Sequence, residues 1–419
     1  MKVRGILKQS GASFLVANIV YVLTFLGNIA LVRMLLPEDF GVVALAASLV
    51  GLIEIFTTFA FNTVLIQQRD QASLVRTVFQ GALAALVLKL VLAVLVFFAA
   101  HGLYDSLIWI IFAVIMVSKI FSGLGPLLVA RLEKRGDFLW ATFVTSGSAL
   151  IGVLAAVAAV SSGAGLYGLL LREALPPVLV FAAMVVFYRG LLPRGLLNVN
   201  RRQLRVVASA ATRLYFQRGA ELAYMRLPLL MIEALFGAVA LGLYAQATYL
   251  VTLINRITGV INQQVATVFF SRNRRNARET RLGFLWLLGV NLILALPAMA
   301  LLTLYPEQIV LFLWDEDWLA AVPYLQLMAA MTFLLPLFSI LKSRLLGLRR
   351  NHAITAVYGA GLVFLVGGLW IIRDVNNPAL WVAGLTAAVY ALLVVVCACV
   401  LWQVAKGTHP IARNAERTG

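Results

Sequence analysis

Apolar runs of eighteen or more residues recur along this chain from end to end, and each must be buried in protein or in lipid. A chain of 419 residues that is 62% hydrophobic and only 12% charged, with mean hydropathy +0.96, lacks the polar surface to cover so many runs in water. Runs of this length read as membrane-spanning helices. Barrel strands would instead show short alternating segments. The runs cover 13–32, 40–66, 78–100, 107–130, 139–160, 166–188, 206–233, 241–270, 282–304, 322–341, 353–372 and 380–402. The first is too long for a signal-peptide core and is followed by further spans, so it reads as a retained helix. The expected fold class is an all-α polytopic membrane protein with about twelve transmembrane helices.

The net charge of +17 is distributed by side. With loops assigned alternately, one side holds twenty-five Lys and Arg residues, among them Arg131, Lys134, Arg135, Arg201, Arg202, Arg205 and Lys342. The other holds only Arg33 and Arg373 and collects Glu38, Asp39, Asp105, Glu307, Asp315, Glu316, Asp317 and Asp374. That bias places the basic side and both termini in the cytoplasm. The basic charge is then topological and not a nucleic-acid footprint. Cys397 and Cys399 lie in the last span and read as small hydrophobes. His101, His352 and His409 have no metal-ligand spacing. Neither a catalytic constellation, a metal site nor a cofactor is expected.

The stretch from Val206 to Phe270 is long enough for two crossings yet rich in polar residues. At 100° per residue, Arg213, Gln217, Arg218, Glu221 and Tyr224 fall within about 140° of arc on its first helix. Tyr244, Thr248, Thr252, Asn255, Arg256, Asn262 and Gln263 fall within about 120° on its second. A charge at the bilayer centre costs at least ~2.5–3.5 kcal/mol, so these stripes must face a watery cavity or a partner. Span 1 aligns Ser13, Ala17, Tyr21, Thr24 and Asn28. Span 2 aligns Ala44, Ala47, Gly51, Glu54, Thr58 and Asn62, whose small members permit close helix approach.

Lys89, Lys119, Arg172, Arg213, Arg218, Arg226 and Arg256 lie at hydrocarbon depth against the acids Glu54, Glu173 and Glu221. A scaffold of ion pairs would balance; this set is left with a surplus of about four positive charges. Such a surplus suits an anionic ligand, and Arg suits phosphate through forked, charge-assisted hydrogen bonds. Asn28, Asn62, Thr252, Asn255 and Asn262 suit hydroxyl-rich sugars as polar cavity lining. Glu54 and Glu221 either hold the bases in place or carry a coupling proton. Arg172 and Glu173 are adjacent and face apart on a helix, so each is expected to pair with a neighbouring helix. Pro176-Pro177 follows them and marks a kink.

The basic loop 191–205 divides the chain into an N-terminal six-helix lobe, 1–190, and a C-terminal six-helix lobe, 206–402, with a tail over 403–419. Phe40-Gly41, opening span 2, is echoed by Leu241-Gly242, opening span 8, 201 positions later. Six spans per half would make such a repeat parallel, about an axis along the membrane normal.

The run Leu31-Val32-Arg33-Met34-Leu35-Leu36-Pro37-Glu38-Asp39-Phe40-Gly41 resembles the first inter-helix turn of polysaccharide transporters in the multidrug/oligosaccharidyl-lipid/polysaccharide exporter (MOP) superfamily. Ala240-Leu241-Gly242-Leu243-Tyr244-Ala245-Gln246-Ala247 is similar to that family's start of helix eight. Leu313-Trp314-Asp315-Glu316-Asp317-Trp318, continuing to Gln326, is similar to its outer loop entering helix ten. The resemblance implies two six-helix lobes forming a V around a central cavity. It implies a flippase moving an undecaprenyl-diphosphate-linked oligosaccharide, an O-antigen or exopolysaccharide repeat unit, across the bacterial inner membrane by alternating access. Its implied partners are that lipid-linked oligosaccharide, membrane lipids and the pathway's polysaccharide polymerase and glycosyltransferases. Arg218 and Arg256 are the first candidates for the diphosphate, with Arg213, Lys89 and Lys119 behind them and Glu54, Glu221, Glu173 and Arg172 in support. Many relatives carry an acid where this chain has Arg226-Leu227-Pro228, and some have fourteen helices. A multidrug or metabolite antiporter of the same superfamily and a membrane-embedded polysaccharide ligase or polymerase are the other readings. The antiporter would favour net acid in its cavity, and the enzyme a large outer loop with catalytic acids or histidines.

The charge bias makes a direct prediction about sidedness. A cysteine replacing Asp317 should react with a membrane-impermeant maleimide in intact spheroplasts, whereas one replacing Arg202 should react only after permeabilisation.

Overall fold

A computed structural model describes residues 3–59, 61–67, 72–188, 190, 201–260, 262, 266, 269–270, 276–348, 350–372 and 378–405. Every regular element among them is helical. Among the described residues ten helices are long and apolar enough to cross a membrane, eleven when a bent pair is counted as one span. Large apolar side chains such as Phe98, Phe187, Ile293 and Val363 are exposed along them, as lipid-facing residues must be. The chain is a multi-pass membrane protein. It divides into two compact units, Met1–Gly242 and Leu243–Gly419.

The first unit contains α1 (Val3–Met34), α2 (Pro37–Thr57), the short α3 (Phe61–Gln67), α4 (Ala72–Ala100), α5 (Ser106–Arg135), α6 (Phe138–Ala159), α7 (Leu166–Phe187) and most of α8 (Arg201–Val251). The division falls one helix later than the expected loop at 191–205, whose residues up to 200 lie outside the described residues. The reason is packing. The α8 segment before the break at Gly237 lies on α2, where Gly219 approaches the Ile55 carbonyl and Arg226 crosses Gly51.

Helix α2 is the most enclosed of the crossings, with 61% of its most apolar window buried against 17% for those of α1, α4 and α7. It packs on α4, α5 and α7, so its polar residues reach protein and not lipid. Its start is fixed locally: Pro37 occupies the first turn, and the Asp39 carboxylate accepts the Leu36 N–H at 3.0 Å. Its end departs from expectation, since span 2 was to run unbroken from 40 to 66. Thr58 leaves the helix at φ −90°, ψ 94°, and the chain resumes as α3. Thr57 bonds back to the Ile53 carbonyl at 3.0 Å, a local competition that β-branched hydroxyl residues bring to helix ends. Beyond the break, Val64 and Leu65 of α3 join Val75, Val78 and Phe79 of α4 and Leu127 and Leu128 of α5 in a buried cluster. Lys134 donates to the Leu65 carbonyl at 2.9 Å and so caps α3. The expected kink in span 6 is not a break: α7 is helical through Pro176-Pro177, and Pro176 packs against Gly152 of α6.

The seventh and eighth spans run as one assigned helix, broken at Gly237 with φ 77° and ψ −176°, a conformation open essentially to glycine alone. The second unit continues with α9 (Leu253–Val260), α10 (Ala277–Leu304), α11 (Pro306–Leu313), α12 (Val322–Met328), α13 (Met331–Gly347), α14 (Asn351–Ile372) and α15 (Pro378–Ala405). The expected tenth span is the bent pair: a 3₁₀ turn at Glu316–Ala321 leads into α12, and α13 follows at 45°. The eighth span, expected through 270, is described only in pieces beyond residue 260. Helix α13 packs on α9, α10, α14 and α15 and forms the middle of this unit.

The repeated dipeptides meet. A Cβ on Gly41 would lie 1.8 Å from the Ala238 carbonyl oxygen, and one on Gly242 would lie 1.8 Å from that of Pro37. Backbone faces backbone there, so a side chain must force the helices apart. Gly41→Ala and Gly242→Ala should each lower the thermal unfolding midpoint of the detergent-solubilised full chain, at a cost of about 1–3 kcal/mol. Gly289→Ala, whose Cβ meets nothing within 4 Å, should leave the midpoint unchanged or raise it.

Candidate functional site

Glu54 stands one turn after Gly51 on the enclosed helix α2. Its Oε1 lies 3.5 Å from Lys89 Nζ of α4 and 3.4 Å from Lys119 Nζ of α5. One carboxylate oxygen thus serves two ammonium groups from two other helices. The three side chains are 14%, 10% and 26% exposed, so the pairing operates in a medium that screens poorly. Two like charges at such depth are tolerable only because the acid lies between them.

A cavity of about 430 Å³ opens beside this triad. Its wall contains Glu54 and the α2–α3 break (Thr57, Thr58, Phe59, Phe61, Asn62), Lys89 with Ala82, Ala85 and Leu86 of α4, and Ser122, Gly123, Pro126 and Leu127 of α5. Glu221, Leu222 and Met225 of α8 close it. The break in span 2 therefore makes part of the cavity wall, and Asn62, exposed on α3, faces into it.

A second charged group lies nearby in the same unit. Arg172 Nη1 donates to Asn28 Oδ1 of α1 at 2.6 Å, its Nη2 pairs with Glu173 at 3.1 Å, and its guanidinium lies 5.6 Å from the Phe40 ring centroid. The expectation that Arg172 and Glu173 would not pair with each other is corrected. Long side chains can curl together around a helix from adjacent positions, and here Arg172 does so while also reaching α1. Asn28 is buried under this contact and is not open cavity lining. The charges of Lys119 and Arg226 also act on Glu173, linking the two groups electrostatically.

The remaining candidates separate. Arg213 and Arg218 stand on α8, but their side chains lie outside the described residues. Arg256 is in the second unit, exposed, with its guanidinium 4.8 Å from the Tyr249 ring centroid. Thr252 bonds locally to the Tyr249 carbonyl at 3.1 Å, and Asn255 accepts a hydrogen bond from Ser339 at 3.1 Å. Asn262 is fully buried and exchanges amide hydrogen bonds of 2.9 and 3.0 Å with Asn291 of α10. Ser343 donates to the Asn262 carbonyl. Asn262 therefore locks helices together and is not cavity lining. Tyr244 likewise shares a hydrogen bond with Thr386 at 2.9 Å inside the second unit.

Sequence reading missed two features. Lys342 was assigned to a loop, yet it is buried in α13, where its Nζ donates to the Tyr358 hydroxyl at 3.2 Å. Helix α13 outlasts its apolar run by a full turn, and a lysine just past an apolar run carries no mark of burial. Outside the cavity, Tyr104 donates to Glu233 at 3.2 Å. Burial, and then the Glu233 carboxylate, raise the Tyr104 hydroxyl above the ordinary phenol range, so it remains a donor at neutral pH.

Residues 30–323 match the model of a family described as polysaccharide biosynthesis protein. The chain belongs to that family. Among curated relatives, the teichuronic acid biosynthesis protein TuaB of Bacillus subtilis (strain 168) is 31% identical over 170 residues, 40% of this chain and 34% of that protein. The succinoglycan biosynthesis transport protein ExoT of Rhizobium meliloti (strain 1021) is 28% identical over 324 residues, 71% of this chain and 60% of that protein. The chain thus spans about a third and three fifths of these relatives' lengths. In fold it is similar to a multidrug resistance MATE family transporter of the MOP superfamily. The inward-facing form gives a TM-score of 0.63 at 15% identity, covering 95% of this chain and 96% of that one. The outward-facing form gives 0.59 at 16% identity, covering 99% and 96%. A MOP superfamily transporter from Pyrococcus furiosus, described as having a binding pocket of reverse polarity, gives 0.57 at 14% identity, covering 96% of each chain.

The triad's arrangement carries a stability prediction. Glu54→Gln leaves Lys89 and Lys119 facing one another without the acid they share and should destabilise the full chain by ~3 kcal/mol. Adding Lys119→Met to that variant should restore much of the loss, because the remaining lysine no longer faces a like charge. Thermal midpoints of the three proteins in one detergent check both statements.

Proposed function

We propose that this protein is a flippase of polysaccharide biosynthesis that moves a polyprenyl-diphosphate-linked oligosaccharide, of the undecaprenyl kind, across the bacterial inner membrane by alternating access. The observation that carries the reading is the cavity at Glu54. Lys89 and Lys119 share one Glu54 carboxylate oxygen there, so each ammonium keeps donors that this acid does not occupy, although Glu221 in the same wall balances the charge. An anion entering that space gains charge-assisted hydrogen bonds in a poorly screened site. The neighbouring Asn62, Ser122 and Thr58 offer donors and acceptors to sugar hydroxyls. A volume of about 430 Å³ suits a headgroup and not a lipid. The polyprenyl tail has no need to enter, because each buried CH₂ is worth about 0.8 kcal/mol left in the bilayer.

In this reading Lys89 and Lys119 receive the diphosphate. Arg218, Arg256 and Arg213 are the further cations that the sequence offers to the diphosphate. Glu54 holds the two lysines apart when the cavity is empty and yields them when an anion arrives. Family membership and the names of the polysaccharide relatives support the pathway, and the MATE-like fold supports transport over chemistry. Both termini lie in the cytoplasm on the charge argument above.

The test uses a variant that keeps the triad's volume and removes its charge: Glu54→Gln with Lys89→Gln and Lys119→Gln. In proteoliposomes, a fluorescent polyprenyl-diphosphate-linked oligosaccharide is followed by its accessibility to a membrane-impermeant quencher. The neutral triad should slow leaflet exchange at least tenfold at equal protein content. Exchange at the unaltered rate would remove the site assignment. No exchange by the unaltered protein would remove the flippase reading itself.

A further inference from the structure

Arg226 is the charged residue at this depth that helical periodicity leaves out. Five residues past Glu221, it falls off the stripe of its own helix. Its surroundings come from α2. A Cβ on Gly51 would lie 2.3 Å from Arg226 Nε, 2.6 Å from its Cδ and 2.8 Å from its Cγ, so the arginine stem lies directly across the bare backbone of Gly51. The Nε atom is enclosed and has no hydrogen-bond partner. The charge of Arg226 acts on both Glu54 and Glu173, yet among the described residues it makes an ion pair with neither. Those acids are already engaged by Lys89, Lys119 and Arg172.

Placement ties this arginine to the cavity. Leu222, one turn earlier on the same face of α8, and the adjacent Met225 both line it, as does Glu54, one turn beyond Gly51. Arg226 is therefore the next residue on α8 after the cavity wall, and among the described residues no acid lies within ion-pair distance of its forked donor. A guanidinium held at hydrocarbon depth without a carboxylate is expensive unless an anion visits it. Its planar fork fits phosphate oxygens in pairs, which a lysine ammonium cannot do.

We propose that Arg226, seated on Gly51, is a direct binding residue for a phosphate or diphosphate group. The proposal deepens the cavity reading above by adding a cation that the triad does not contain. It makes Gly51 a positioning residue: the missing side chain gives the arginine stem its place. The shared chemistry is a phosphate anion, borne by a lipid headgroup or free in solution.

The experiment measures binding and not transport, with the full chain in nanodiscs of phosphatidylcholine. The probes are farnesyl diphosphate and inorganic pyrophosphate, with farnesol as the uncharged control. Arg226→Gln should weaken farnesyl diphosphate at least tenfold, while Arg226→Lys, which keeps charge but not the fork, should fall between. Gly51→Ala should weaken it severalfold without unfolding, because the atoms its Cβ meets belong to a flexible side chain that can swing aside. Combining Gly51→Ala with Arg226→Gln should add nothing beyond Arg226→Gln, since both act through one group. An equal effect on pyrophosphate assigns the site to the diphosphate alone, and an effect confined to farnesyl diphosphate assigns it to a lipid-borne headgroup; either supports the proposal. Unaltered affinity in Arg226→Gln overturns it. If the neutral triad loses the probe while Arg226→Gln keeps it, the cavity reading stands and this one falls. If Arg226→Gln loses it while the neutral triad still exchanges substrate between leaflets, the arginine site stands and the triad assignment falls.

Discussion

A single carboxylate oxygen on α2 holds ammonium groups from α4 and α5 where water cannot screen them. Much in the first unit follows from that contact. It joins three helices at mid-depth by a charge interaction, in a medium where apolar packing alone has little preference between helix and lipid. It also forbids the three helices to close completely, because two lysines and an acid need polar surroundings on the side away from the pairing. The cavity lies on that side. The end of α2 at Thr58 adds to that space, since Thr57, Thr58, Phe59, Phe61 and Asn62 around the break all line it.

The two units use polarity differently. In the first, the described polar contacts between helices at depth involve charged groups, in two sets: Lys89 and Lys119 on Glu54, and Arg172 with Glu173 and Asn28. In the second, they are neutral: Asn262 with Asn291, Ser339 with Asn255, Tyr244 with Thr386. Neutral interhelical hydrogen bonds are worth roughly 0.6–2 kcal/mol each, enough to set register without holding a net charge. Lys342, turned toward the Tyr358 hydroxyl and ring, and Arg344, over the Phe284 ring, are charged exceptions.

The crossings, their approximate limits and the family likeness were legible because each rests on local pattern. An apolar run is long enough or it is not, and a Pro-Glu-Asp turn starts a helix wherever it occurs. The charged positions at depth were legible for the same reason: Glu54, Lys89 and Lys119 stand out against apolar neighbours. What could not be read was partnership. Arg172 and Glu173 were separated by a rule about helix faces that long, bending side chains evade. Asn262 shares a stripe with residues expected to meet solvent, but Asn291 on another helix takes it. Periodicity sets Arg226 off the stripe of its own helix, and the glycine that receives it lies 175 positions away.

By itself, the sequence determined that this chain lives in a membrane, which of its loops are basic, and that its apolar runs carry more Lys and Arg than Asp and Glu. Those follow from hydropathy and charge, which are sums over residues and need no coordinates. Only the tertiary structure decided which of those groups neutralise one another and where the helices leave a space. Ion pairing acts over a few ångströms and depends on which helices touch, and a stripe on one helix does not name its neighbour.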